Sequence, residues 1–311
     1  MGKTLQRSGF IVVCGLAASL APTASFVSRR RSADRASSHR DAAVICGRGL
    51  ADEGTTMRTR LTHVGLVGLL LILGARGASA EVMRWQVEGE TREAIVYAPP
   101  ASRGGEGVPL VLSFHGYGDN MQNFQHTNLH VAWPDAIVVY FQGLETRGGL
   151  PGWQVERGGG DRDLQLVDVA LASLRETYDV DDDRIYATGF SNGGMFAYLL
   201  WAERPGVFAA YAPVAARLHP SVRPEQPRPL FHVAGERDRL VRFSDQGAAI
   251  EVAIEVNGVG ATTMRCGEGC TVYGPGTPAP VMTWIHAGAH VYPRGTAERI
   301  ASFFRGHSRT R

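Results

Sequence analysis

Two glycines flank one serine at the point where a buried strand turns into a helix, and no other stretch constrains the fold as tightly. Residues Gly189-Phe190-Ser191-Asn192-Gly193 follow the run Arg184-Ile185-Tyr186-Ala187-Thr188. They precede Met195, Phe196, Leu199, Leu200 and Trp201 on the helix that starts at the serine. So tight a junction strains the serine backbone and tolerates only small neighbours. It lifts the hydroxyl off the sheet edge and sets it at a helix N-terminus, which favours developing negative charge. In a chain with 38 glycines a Gly-x-Ser-x-Gly match carries little by itself. The strand before it and the helix after it mark a nucleophile held on a sharp turn.

The rest of the chain supplies the frame for such a turn. Short apolar strands are expected at 93–97, 110–114, 136–141, 184–188, 230–234 and 281–285. Between them lie helical segments. The clearest is 164–178, with Leu164, Val167, Leu171 and Leu174 at helical spacing. Alternation of this kind predicts an α/β fold, with a mainly parallel sheet covered by helices on both faces. Asp181-Asp182-Asp183 reads as the turn into the serine's strand, and a last helix is expected over 296–304. The glycine-rich segment 143–160 is long and irregular, as binding loops often are.

Not all 311 residues are expected to belong to that domain. Met57, Arg58 and Arg60 are followed by an apolar run from Val64 to Leu73, then Ala78-Ser79-Ala80. Residues 57–80 therefore read as a secretory signal, and the product as secreted or periplasmic. The apolar core is too short to span a bilayer, so no membrane span is expected in the mature form. Residues 1–56 read as an extension, disordered or upstream of a true start at Met57. A rival signal at 10–25 is also readable, since 10–20 is apolar. The remainder, 81–311, suits a single catalytic domain. It holds 21 Arg, no Lys and 26 Asp plus Glu, a formal balance of −5. The basic excess lies in the leader, so nucleic acid is not an expected partner.

A serine hydroxyl needs a base, and the base needs an orienting carboxylate. In the α/β-hydrolase fold these follow in the order Ser, Asp or Glu, His, each on a loop after a strand. The loop after 230–234 reads Gly235-Glu236-Arg237-Asp238, which makes Asp238 the expected acid and Glu236 its competitor. The loop after 281–285 reads His286-Ala287-Gly288-Ala289-His290. His290 is the expected base, and His286 is expected to bond locally. An oxyanion hole needs two N–H groups. Asn192 and Tyr117, the latter in His115-Gly116-Tyr117-Gly118, are the expected donors; His115 reads as structural. Cys266 and Cys270 read as a disulfide, with free thiols or a zinc ligand pair as alternatives.

Together these residues resemble the secreted α/β-hydrolase esterases of the polyhydroxybutyrate depolymerase and feruloyl esterase type. The resemblance rests on Gly189-Phe190-Ser191-Asn192-Gly193-Gly194-Met195, Asp179–Tyr186, the loop Ala234–Val241, and Gly288-Ala289-His290-Val291-Tyr292-Pro293. It implies a serine esterase with no metal or organic cofactor, acting on small or oligomeric esters of hydroxyalkanoate, feruloyl or acetyl type. Tyr292 stands where the family has tryptophan and Ala289 where it has glycine, which bears on substrate shape. Trp153 and Tyr117 are expected to line the substrate pocket, with a packing role open for Trp153. Two other readings remain: a prolyl-oligopeptidase-like peptidase and a non-catalytic binding protein of the same fold.

Overall fold

The computed structural model describes residues 79–158 and 160–309. The expected extension 1–56, the signal 57–80 except Ser79 and Ala80, and the rival signal 10–25 lie outside the described residues. The chain opens with a hairpin, β1 (Ser79–Val87) and β2 (Glu90–Ala98), and then β3 (Val108–Phe114). Two short helices follow, α1 (Met121–Phe124) and α2 (Leu129–Ala132), before β4 (Ile137–Phe141). A two-residue ribbon, β5 (Leu144–Glu145) and β6 (Pro151–Gly152), sits in the glycine-rich loop ahead of α3 (Arg162–Thr177). The serine lies between β7 (Val180–Phe190) and α4 (Asn192–Glu203). Then come β8 (Ala210–Val214), β9 (Leu230–Gly235), α5 (Phe243–Asn257), β10 (Thr263–Gly267), β11 (Cys270–Tyr273), β12 (Val281–His286) and α6 (Thr296–Arg305).

Ten strands form one sheet in the order β1-β2-β4-β3-β7-β8-β9-β12-β11-β10. The six central strands, β4 to β12 in that order, are parallel; the pairings at each edge are antiparallel. Alternation along the strands divides the core in two. Leu110, Leu112, Ile137, Val139, Ile185 and Ala187 face the layer of α3, α4 and α5. Val111, Val138, Tyr140 and Tyr186 face α1, α2 and α6. A sheet buried on both faces needs near-continuous apolar strands, and β3 and β4 are buried throughout.

One local expectation changes, and two strand features are new. Asp181-Asp182-Asp183 is no turn but an irregularity inside β7, where the pairing with β3 jumps from Val108↔Val180 to Leu110↔Ile185. The Asp181 carboxylate takes the Asp183 N–H at 2.9 Å and Arg184 Nε at 2.6 Å, which supports the bulge. β8 lies in the centre of the sheet although it contains Pro213, a residue that argues against a central strand. The β10–β11 hairpin, unforeseen, is closed by the Cys266–Cys270 disulfide, with Cα atoms 5.0 Å apart.

One buried group makes the fold sensitive to acid. His232 on β9 is wholly buried, with Nδ1 2.8 Å from the Tyr198 hydroxyl of α4. Burial pushes its imidazole from 6.5 down to about 4. Between those values the unfolded chain binds more protons than the folded one, so stability rises with pH. The His232 contribution is complete above about pH 6.5 and is lost as pH falls towards 4, by about 3 kcal/mol in total. Urea unfolding of the wild type at pH 7 and pH 4.5 should show this loss, and His232→Phe should lose distinctly less. Equal losses in the two proteins would contradict it.

Candidate active site

The serine turn exists because three glycines let backbones pass at close range. A Cβ on Gly193 would collide with the Phe114 carbonyl and lie 2.6 Å from that of His115. One on Gly189 would lie 2.8 Å from the Phe114 oxygen, and one on Gly194 2.7 Å from the Ala216 side chain. The elbow is thus pressed against the end of β3 and the loop after β8. Ser191 absorbs the bend with φ 52° and ψ −115°. A non-glycine residue held there is strained, and the surrounding packing holds it.

Ser191 Oγ lies 2.9 Å from His290 Nε2, and His290 Nδ1 lies 2.7 Å from Asp238 Oδ2. Asp238 follows β9, and its side chain is fully buried; His290, between β12 and α6, keeps 13% of its side chain exposed. The Asp238 carboxylate is fully partnered. Oδ1 accepts the N–H groups of Leu240 and Val241 at 2.9 and 3.0 Å. Oδ2 accepts from Gln246 Nε2 at 3.0 Å as well as from His290. The two loops are also joined by their backbones, Glu236 N–H to the His286 carbonyl and Arg237 N–H to that of Gly288. A carboxylate acceptor on Nδ1 sets the proton there and leaves Nε2 to accept from the serine.

The rival residues are placed elsewhere. Glu236 is exposed. His286 Nδ1 accepts the Gly288 N–H at 3.0 Å, and burial pushes its imidazole down. His115 is buried; its Nδ1 bonds the Gly116 carbonyl at 2.7 Å and its Nε2 accepts the Gly143 N–H at 2.9 Å. It ties the turn after β3 to the start of the glycine-rich loop.

Of the expected oxyanion donors, Asn192 opens α4, where first-turn N–H groups have no intrahelical acceptor. Among the described residues neither its N–H nor that of Tyr117 has a hydrogen-bond partner. The Asn192 side chain has a role not foreseen. Its Oδ1 accepts the Trp153 N–H at 2.7 Å and its Nδ2 donates to the Trp153 carbonyl at 3.0 Å. Trp153 takes up the packing role left open for it. It is 2% exposed, packs on Phe114 and Phe196, and donates its indole N–H to the His115 carbonyl at 2.9 Å. One edge of it borders a cleft of about 550 Å³ with Thr146, Gln154 and Glu156. Tyr117 is the expected lining residue that stays open, at 47% exposure. Tyr292 is half-buried against Phe124 and Phe190, and Phe190 in turn packs at a tilt on His290, with ring centroids 4.9 Å apart. No group of three or more His, Cys, Asp or Glu among the described residues is arranged to hold a metal ion.

No protein-family model matches the chain. A stretch of 160 residues is 32% identical to a bifunctional acetylxylan esterase/xylanase of Neocallimastix patriciarum, covering 50% of this chain and 23% of that protein. Another of 175 residues is 36% identical to a candidate esterase of Nocardia uniformis subsp. tsuyamanensis, covering 52% and 50%. The chain thus spans half or less of the length of these relatives. The solved structure of an acetyl xylan esterase from Aspergillus awamori superposes with a TM-score of 0.53 at 14% identity, over 72% of this chain and 99% of that one. The chain has the α/β-hydrolase fold. In hydrolase-fold terms, Ser191 occupies the elbow after a central strand, with Asp238 and His290 on later loops at the same edge.

The Asn192 clamp predicts a local effect. Asn192→Ala removes both bonds to Trp153, at a cost of about 1–3 kcal/mol in stability. Trypsin should then cut in the 143–160 loop, at Arg147 or Arg157, several-fold faster than in the wild type. Unchanged cleavage would mean that the indole alone pins the loop.

Proposed function

We propose that this chain is a secreted serine hydrolase of carboxylic esters that works through an acyl-serine intermediate. The observation that carries the reading is the unbroken chain Ser191–His290–Asp238, at 2.9 and 2.7 Å. His290 takes the serine proton as the hydroxyl oxygen attacks the ester carbonyl. Asp238 holds the imidazole in the required tautomer and stabilises the imidazolium. The N–H groups of Tyr117 and Asn192 receive the oxyanion. His290 then gives its proton to the departing alcohol. A water, deprotonated by the same imidazole, releases the acid and restores the serine.

The substrate class is narrower than esters in general. The resemblance to polyhydroxybutyrate depolymerase and feruloyl esterase enzymes, and relatives named for acetylxylan, support soluble or oligomeric acetyl, feruloyl or short hydroxyalkanoate esters. Tyr117, exposed beside the elbow, is the aromatic surface offered to such a group. Export through the leader at 57–80 agrees with a disulfide in an exposed hairpin, since such bonds persist in oxidising compartments. Among the described residues no helix is long and apolar enough to cross a membrane.

A panel of p-nitrophenyl esters of rising chain length, with methyl ferulate and acetylated xylan, tests the class directly. Ser191→Ala and His290→Ala should each lower kcat by about 10⁴-fold or more with the fold intact. His286→Ala should keep most of the activity. Near wild-type turnover by Ser191→Ala would end the proposal.

A further inference from the structure

We propose that Gln246 is a positioning residue for Asp238, and that His232 behind it fixes which end of its amide faces the carboxylate. The inference rests on the serine-hydrolase reading above. Gln246 is wholly buried on α5, and no motif marks it. Its Nε2 reaches Asp238 Oδ2 at 3.0 Å, the same oxygen that His290 Nδ1 reaches at 2.7 Å. The flipped amide would put its oxygen against the carboxylate and repel it.

Two further contacts oppose the flip. The second Nε2 hydrogen goes to the Val241 carbonyl at 2.7 Å. On the other side Oε1 lies 3.4 Å from His232 Nε2. That contact is attractive only if His232 carries its proton on Nε2. Tyr198 on the elbow helix ensures this. Its hydroxyl is buried and, among the described residues, bonded only to His232 Nδ1, at 2.8 Å, so its proton must point there or remain unmet. Nδ1 is then an acceptor and Nε2 a donor. Burial also holds the imidazole neutral.

The donors therefore run one way: Tyr198 hydroxyl to His232, His232 to Gln246, Gln246 to Asp238. The chain begins on α4, the helix headed by Ser191, crosses β9, and returns through α5 to the acid. It couples the orientation of the acid to the same packing that holds the nucleophile. Glu236, Arg237 and Arg239 on the acid loop are exposed, so within this buried chain Asp238 is the only carboxylate.

A donor on Oδ2 withdraws charge from the oxygen that His290 uses. Gln246→Leu should leave Asp238 more basic and the imidazolium better stabilised. The acid limb of kcat/KM against pH should then move up, by about half a unit. At the pH optimum kcat should nonetheless fall about tenfold, because a carboxylate that has lost one of its anchors holds His290 in the reactive geometry for a smaller fraction of the time, with KM for p-nitrophenyl acetate unchanged. Rates are expressed per site labelled by a fluorophosphonate, so that misfolded protein does not count. His232→Phe, which keeps ring volume and frees the amide, should move both readouts the same way by less.

Wild-type kcat in Gln246→Leu, or a loss with the limb unmoved or moved down, would reduce Gln246 to a packing residue. If Gln246→Leu does not fold, the His232→Phe limb decides by the same criterion. If the wild type neither labels nor hydrolyses esters, the functional reading fails separately. The positioning claim is then read from the downfield proton resonance of His290 Nδ1–H, which Gln246→Leu should shift further downfield and leave unmoved if the claim is wrong.

Discussion

Everything at this site depends on how closely α4 approaches β3. Gly193 lies where any side chain would strike the Phe114 carbonyl, and Gly189 is limited first by the backbone of Gly193 and then by the same oxygen. That contact forces the strained backbone of Ser191, because the chain must reverse from strand to helix in the space left by its neighbours. The strain is held by a core with Phe114 and Phe196 stacked edge to face at 4.9 Å beneath it. The serine is therefore fixed by hard-sphere contacts, and the hydrogen bond from its hydroxyl to His290, itself held by Asp238, acts on a group already in place.

From that point the site extends by loops that fasten to one another. Asn192 grips the backbone of Trp153, the Trp153 indole grips the His115 carbonyl, and His115 grips Gly143. One residue beyond Trp153, the Gln154 N–H goes at 2.7 Å to Asp163, which is buried against Arg92 at 2.8 Å. A segment with many glycines is thus tied at successive points without regular structure of its own. The polar groups that do this are buried and paired, as a low-dielectric interior requires.

How much of this could be read from residues alone follows the range of each interaction. The elbow, the central strands and the loops with Asp238 and His290 are local patterns: apolar runs, a turn, a polar residue at a strand end. Pro213 in a central strand, and the three aspartates that bulge inside β7, are decisions made by partner strands. Trp153 reads equally as a pocket residue or a packing anchor, and its burial depends on Phe114, Phe196 and His115, which are distant in sequence. Gln246 lies in a helix whose buried stripe is Gln246, Ala249, Ile250 and Ala253, so weakly apolar that neither the helix nor the amide's partner was legible.

The central claim is that Ser191 forms a covalent bond to the acyl group during turnover. It is tested most directly by intact-protein mass spectrometry after acid quenching within one turnover of a slow ester such as p-nitrophenyl ferulate. The account predicts one acyl increment per chain, mapped by peptide digestion to the segment that contains Ser191 and absent from Ser191→Ala. Ester hydrolysis with no acyl increment, or an increment on another residue, would contradict it.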